Sequence, residues 1–169
     1  MNKNNNVSLR AWQREDAQAL ASIANNRKIW NNLRDQLPHP YTVMDAMQWI
    51  AHCKEQDPLV NFAVIYKGGV AGSIGCVPRT DVYRKTMEVG YFIGEQYKGN
   101  GIATEAVRIL IQHIQQRFDA VRIYAEVFAF NKASMRVLQK NGFYLEGIRR
   151  KAVIKNNIIL DDYVWVKLI

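Results

Sequence analysis

The sequence predicts a mixed α/β domain with the element order β-α-α-β-β-β-α-β-α-β-β. Three observations carry that prediction. Short apolar runs with a period of two recur along the chain, the signature of half-buried strands. Between them stand stretches whose apolar residues return every three or four positions, the signature of amphipathic helices. The third is scale: 169 residues, 49% of them hydrophobic, suit one domain with a real core, since domains commonly hold roughly 100–200 residues. A single domain over 1–169 is expected, with the polar tip MNKNNN (1–6) flexible.

Residues 7–11 (VSLRA) read as a short strand. Residues 15–24 read as a helix, with Ala17, Leu20, Ala21 and Ala24 at helical spacing. Residues 25–40 resist assignment, because Pro38 and Pro40 end any helix and push their predecessors toward extended geometry. Thr42 opens the next helix, TVMDAMQWIAHCKE: Thr42 and Asp45 have capping-box spacing, with Asp in place of Glu. NFAVIY (61–66) and VAGSIGCV (70–77) flank Gly68-Gly69 and read as a hairpin. TMEVGYFI (86–93) alternates, with Met87, Val89, Tyr91 and Ile93 on one face and Glu88, Gly90 and Phe92 on the other. A helix follows, striped by Ala103, Val107, Leu110, Ile114 and Phe118. Residues 121–130 alternate as a strand, and 131–141 read as a helix stopped at Asn141-Gly142. Two strands, 143–153 and 158–168, close the chain around a turn at Asn156-Asn157. No internal repeat, linker or low-complexity tract interrupts this order.

The bulk properties narrow the function classes. The formal charge is +8, which favours anionic partners without choosing one. Lys132, Arg136, Lys140, Arg149, Arg150, Lys151 and Lys155 gather basic charge in the last third. No apolar stretch approaches the ~18–20 residues needed to cross a bilayer, and the tip lacks the apolar core of a signal peptide. A cytoplasmic protein without a membrane partner is therefore expected. No aromatic stacking motif for RNA is visible, which argues against nucleic acid. Cys53 and Cys76 form no CxxC and have no nearby histidine cluster, so neither a disulfide nor a metal site is expected. Cys76 reads as a small core residue. His39, His52 and His113 are scattered, and His113 is expected to face solvent. The sequence allows a homodimer.

Residues 95–106, EQYKGNGIATEA, place two glycines between a strand and a helix start. Such a turn offers free amides and the positive end of a helix dipole, an anion site. A P-loop needs Lys and then Ser or Thr after the second glycine; Ile102 excludes it. A dinucleotide GxGxxG needs glycine at Thr104 and belongs near the start of a βαβ unit, so it fails as well. The pattern Q/R-x-x-G-x-G/A fits Gln96 to Gly101 at every position.

That stretch resembles the acetyl-CoA pyrophosphate loop of the GNAT N-acetyltransferases. NKASMRVLQKNGF at 131–143 is similar to that family's second signature, and the closing segment YLEGIRRKAVIKNNIILDDYVWVKL is similar to the subgroup that acetylates ribosomal-protein N-termini. The resemblance spans nearly the whole chain. It implies a central mixed, mostly antiparallel sheet flanked by helices, and transfer of acetyl from acetyl-CoA, a co-substrate, directly to an amine. No metal is implied. The cradle would be Lys98, Gly99, Asn100, Gly101, Ile102, Ala103 and Thr104, with Asn131 and Arg136. Backbone amides of Tyr91, Phe92 and Ile93 would face the pantetheine arm and the oxyanion.

Glu88 is the first candidate base and Glu126 the second; each also reads as an ordinary strand carboxylate. The family's usual acid, a tyrosine seven residues after the signature asparagine, is Leu138 here. Ser134 is the replacement the resemblance suggests, though a serine there also suits helix capping, as does Asn131. Arg34, Asp35 and Tyr41 are candidates for the acceptor mouth, with an internal Arg34–Asp35 pair as the plainer alternative. The acceptor implied is a protein or peptide N-terminal amine. The alternatives are a small amine (polyamine, amino acid or drug) or a module that binds acyl-CoA without catalysis.

Overall fold

Alternation along the chain folds into one seven-stranded sheet: β1 (Val7–Arg10), β2 (Asn61–Tyr66), β3 (Gly69–Pro78), β4 (Thr86–Ile93), β5 (Arg122–Phe128), β6 (Tyr144–Lys155) and β7 (Ile158–Leu168), in the spatial order β1-β2-β3-β4-β5-β7-β6. The structure is a computed structural model that describes residues 6–169. Residues 1–5 of the tip expected to be flexible lie outside the described residues. Every neighbouring pair is antiparallel except β4 and β5.

Among the described residues, five α-helices cover the sheet: α1 (Ala17–Ala24), α2 (Arg27–Trp30), α3 (Val43–Lys54), α4 (Ile102–Arg117) and α5 (Lys132–Lys140). The face carrying Met87, Val89, Ile123 and Val127 packs under α4 and α5, against Leu110, Ile114 and Leu138. The opposite face meets α1 and α3, where Trp12, Leu20, Ile50 and Ala63 form a second cluster. Burying these side chains is the main favourable term, at about 1.5–3 kcal/mol for each large one. Cys53 and Cys76 are free and buried, and burial pushes both thiols up to about 12. Neither is a thiolate at neutral pH.

The structure adjusts the sequence reading in four places. The unassigned stretch contains α2, a single turn capped by Asn26, whose side chain accepts from the amides of Lys28 and Ile29. The β2–β3 turn is Lys67-Gly68, at φ 50° and 82°, one residue before the Gly68-Gly69 pair. Positive φ at both central positions marks a two-residue type I′ hairpin, so Gly69 is left to open β3. The strand read at 143–153 runs on to Lys155, and Asn156-Asn157 turn with φ 52° and 60°. His113 does not face solvent. It packs edge-on against Phe62 and Phe118, and its Nε2 lies 3.0 Å from the Leu59 carbonyl oxygen. The capping box at the start of α3 forms as read: the Asp45 amide donates to Thr42 Oγ1 and the Thr42 amide to Asp45 Oδ2.

One feature of the sheet positions the site. The parallel ladder between β4 and β5 covers only Thr86–Glu88 against 122–124. Beyond it β4 stays with β3 and β5 with β7, so the two strands part. A fork opens in mid-sheet, and the edge of β4 past Glu88 loses its second partner.

Candidate active site

Two cavities meet at the fork. The larger, about 870 Å³, lies on the α1–α3 side, beneath residues 32–38 and the tip of the β6–β7 hairpin. The smaller, about 450 Å³, runs between the parted strands to the N-termini of α4 and α5. Val89 to Phe92 and Glu126 line both.

In the smaller cavity the glycine loop does what its composition requires. Gly99 and Gly101 adopt φ 82° and 73°, a region open to glycine at little cost. Gly101 caps α4, so the first amides of that helix point into the cavity's end. A Cβ at Gly99 would meet nothing within 4 Å. Lys98, Ala103, Thr104, Arg136 and Lys140 complete this end. Asn100 lies outside the lining: its side chain folds back to donate to the carbonyls of Tyr97 and Lys98. Ile102 contributes only backbone, since its side chain is buried in the core. These residues fit a pyrophosphate with its neighbouring phosphate: amides for the pyrophosphate, and Lys98, Arg136 and Lys140 around the rim.

Hydroxyls sit at the middle of the same cavity. Asn131 caps α5, its Oδ1 accepting from the Ser134 amide at 3.2 Å. The Ser134 side chain is not the cap. Its Oγ lies 2.9 Å from the hydroxyl oxygen of Tyr91. Burial pushes the Tyr91 phenol up to about 12, partly offset by the Ser134 hydrogen bond. Tyr91 therefore keeps its proton across the working pH range. Leu138 is fully buried in the core, so the position where the family carries its tyrosine faces packing here.

The larger cavity is ionic. Glu88 projects from β4 with its side chain 13% exposed. It accepts from Arg34 and from the Tyr124 hydroxyl at 3.0 Å, and Arg79 stands 3.5 Å away. Glu126 accepts from the same Arg34 nitrogen at 2.8 Å and pairs with Arg149 at 2.6 Å. Arg149 also holds Asp162, which is 1% exposed. Burial works against the Arg34 charge, yet Glu88 and Glu126 outweigh it and hold its pKa above the ordinary guanidinium value. Tyr124 is pushed up to about 12, first by burial and then by the Glu88 charge.

The expected acceptor-side residues divide. Arg34 and Asp35 do not pair with each other. Arg34 bridges the two glutamates, and Asp35 accepts from Lys155 at 2.6 Å. Lys155 is 3% exposed and lies 3.2 Å above the Trp30 ring. Tyr41 is buried in the α1–α3 cluster and touches the cavity floor. The basic cluster of the last third also splits: Arg136 and Lys140 line the smaller cavity, while Arg149, Arg150 and Lys155 are paired with carboxylates. Sequence reasoning missed Tyr124, Arg149, Asp162 and the Tyr91 hydroxyl. Tyr124 left a signal, since it stands two residues before Glu126 and so shares its face of β5.

Comparison with known proteins identifies the family. The model of the acetyltransferase (GNAT) domain matches residues 6–144. The probable N-acetyltransferase YjcK of Bacillus subtilis is 39% identical over 94 residues, 54% of this chain and 52% of that protein. The ribosomal-protein-serine acetyltransferase of Escherichia coli is 32% identical over 91 residues, 54% of this chain and 51% of its own. The matches to these two relatives thus span about half of their length. The spermine/spermidine N(1)-acetyltransferase of Bacillus subtilis is 32% identical over 119 residues, 68% of this chain and 76% of that protein. Among solved structures, the microcin C7 self-immunity acetyltransferase MccE, in complex with acetyl-CoA and AMP, superposes with a TM-score of 0.83 at 25% identity, covering 100% of this chain and 96% of that one. The expected sheet and helix arrangement stands in that company, and no described helix is long and apolar enough to cross a membrane. The chain belongs to the GNAT family of acetyl-CoA-dependent N-acetyltransferases.

Proposed function

We propose that this chain moves an acetyl group from acetyl-CoA directly to the N-terminal amine of a protein or peptide. The fork between β4 and β5 carries the reading. It joins a cavity suited to CoA to a cavity that holds carboxylates, with the two meeting where β4 has a free edge. Acetyl-CoA would lie with its pyrophosphate on the amides after Gly99 and its pantetheine along that edge, as an added strand does.

The balance of the step is simple. The acceptor ammonium first loses a proton to Glu88, through a water. Its nitrogen then attacks the thioester carbonyl carbon, forming an N–C bond, and backbone amides of 91–93 meet the developing oxyanion. The C–S bond breaks, the sulfur takes the Ser134 hydroxyl proton, and the second proton of the nitrogen returns to Ser134 through water, so that the proton first taken by Glu88 is the one released. One N–C bond replaces one C–S bond, and one proton is released. Glu88 is preferred to Glu126 because it is the more enclosed and lies on β4 at the point where the strands part. The volume of the larger cavity, about 870 Å³, supports an acceptor the size of a peptide end. A polyamine is the second reading, favoured by Asp35, Asp45, Glu88, Glu126 and Asp162 around one cavity and by the spermine/spermidine relative.

The test is CoA thiol release from acetyl-CoA across a panel of N-terminal peptides and small amines. Turnover confined to peptides supports the first reading, and turnover confined to polyamines the second. Tight CoA binding without turnover on any acceptor would indicate a binding module, and absence of CoA binding overturns all of these.

A further inference from the structure

We propose that the Arg34 guanidinium occupies the seat of the acceptor's ammonium group and must leave it before acetyl transfer, so that Arg34 is an internal competitor of the substrate. The inference rests on the acetyl-transfer reading above. It starts from one atom. Arg34 Nη2 donates to both Glu88 and Glu126, 54 and 92 residues further along the chain. Those carboxylates come from β4 and β5 where the two strands diverge, at the junction of the two cavities. A nitrogen at that point is within reach of the candidate base on one side and of the fork on the other. A primary ammonium brings three donors, enough to replace both contacts that Nη2 makes.

Two further observations point to a cationic visitor. Asp162 lines the same cavity at 1% exposure, and its Oδ1 has no hydrogen-bond partner among the described residues. Buried carboxylate oxygens are seldom left so, because the unmade bond is costly. Arg34, in contrast, stands on the segment between α2 and α3 with its side chain 55% exposed. It can swing into water without burying its charge. With Arg34 gone, Asp35, Asp45, Glu88, Glu126 and Asp162 are met by Lys155, by Arg79 beside Glu88 and by Arg149 beside Glu126 and Asp162, which leaves the carboxylates in excess. That surplus selects an amine accompanied by a second positive charge. Two sources share this chemistry: a polyamine, and a peptide whose N-terminal residue is followed by Lys or Arg.

The experiment compares wild type with Arg34→Gln and Arg34→Lys, using spermidine, an N-terminal Ser-Lys peptide and an N-terminal Ser-Ala peptide as acceptors. A competing occupant raises KM in inverse proportion to the fraction of time the seat is free, so a seat free for about a fifth to a tenth of the time gives a fall of about fivefold to tenfold in Arg34→Gln. Arg34→Lys should fall between. Methylguanidinium should become a competitive inhibitor against the acceptor, though not against acetyl-CoA, in Arg34→Gln and only weakly in wild type. The spermidine and Ser-Lys arms tell which source is used, and Ser-Ala should gain least. A higher KM in Arg34→Gln, without inhibition by methylguanidinium, overturns the proposal and makes Arg34 an acceptor-binding group. If wild type acetylates none of the three, the acetyl-transfer reading is what has failed. Calorimetric binding of methylguanidinium to Arg34→Gln still tests the seat, and no binding refutes it.

Discussion

Gly90→Val should leave the protein folded and somewhat more stable, yet inactive. Gly90 sits on β4 between Glu88 and Phe92, on the face of the larger cavity, paired with Gly75 across the β3–β4 ladder. The two glycines differ in a way that makes one the control for the other. A Cβ at Gly75 would lie 2.0 Å from Asn61 Oδ1 and 3.0 Å from the Val60 carbonyl, so a side chain there has no room. A Cβ at Gly90 would meet nothing within 4 Å, and its backbone needs no positive φ. Replacing a strand glycine without strain recovers about 0.5–1 kcal/mol of backbone entropy. That raises Tm by about 1–4 °C in a chain of this size. The same isopropyl group stands in the space between the candidate base and the fork. Displacing a reactant by about 1 Å can cost 10²-fold, so kcat/KM should fall by about that factor, with Gly90→Ala between. Thermal unfolding, calorimetric CoA binding and thiol release would be measured together. A raised Tm with intact CoA binding and full activity would refute the placement of the acceptor on this face. A lowered Tm would refute the reading of open space. Gly75→Ala should lower Tm in either case.

The other predictions concern separate parts of the molecule. Ser134→Ala should reduce kcat by about tenfold or more, with CoA affinity little changed. Tyr91→Phe should cost less, and the double variant no more than Ser134→Ala alone, because both act through one hydrogen bond; additive losses in single-turnover kinetics would separate the two hydroxyls. Leu138→Ala should destabilise by about 2–5 kcal/mol in urea unfolding, as a buried cavity mutation does, while the folded fraction keeps its kcat; a selective loss of kcat would instead put Leu138 at the chemistry. Asp16 is held below the usual carboxylate range by the Arg10 hydrogen bond and then by the Gln13 amide. A depressed folded pKa means its contribution is present above about pH 4 and lost as pH falls through the folded value. Asp16→Asn should therefore cost about 1.5–3 kcal/mol at pH 7, with the gap to wild type closing in acid; a gap that stays constant down to pH 2 would contradict it.

What the sequence made legible follows the range of the forces involved. The α3 capping box, the Asn131 cap and the α4 stripe are contacts within four residues or so, and their residue types declare them. The glycine loop was legible for the same reason: its φ values and helix-start amides are local properties of 99–102. The fork was not. Where β4 and β5 stop pairing depends on how each is held by its other neighbour, and alternation along either strand is identical before and after the split. The ionic network was hidden as well. Arg34 next to Asp35 looked like a local pair, but their partners lie 54, 92 and 120 residues away. Lys155 shows the limit most plainly. Lysine is almost never fully buried unless paired, and nothing near it in the chain foretold Asp35 and the face of Trp30.

The segment from Asn26 to Leu37 explains how two cavities built from different strands can act as one site. Its start is tied to the glycine loop: Asn26 Nδ2 and Lys28 both donate to Glu95, whose carboxyl these two partners hold below its usual range. Its middle reaches the fork through Arg34, and the β6–β7 hairpin is held from both sides of Arg34, by Arg27 to Asn156 and by Asp35 to Lys155. Asn32 and Leu33 line both cavities. An anion settling on the glycine loop changes the charge that Lys28 and Glu95 experience, and the same short segment carries Arg34. Coupling of this kind is reciprocal: if CoA binding shifts the segment, release of Arg34 from the glutamates must in turn change CoA affinity. The Lys28–Glu95 pair is exposed on both sides and individually weak, so the start of the segment can shift, whereas the buried Lys155 ammonium anchors its far part through Asp35.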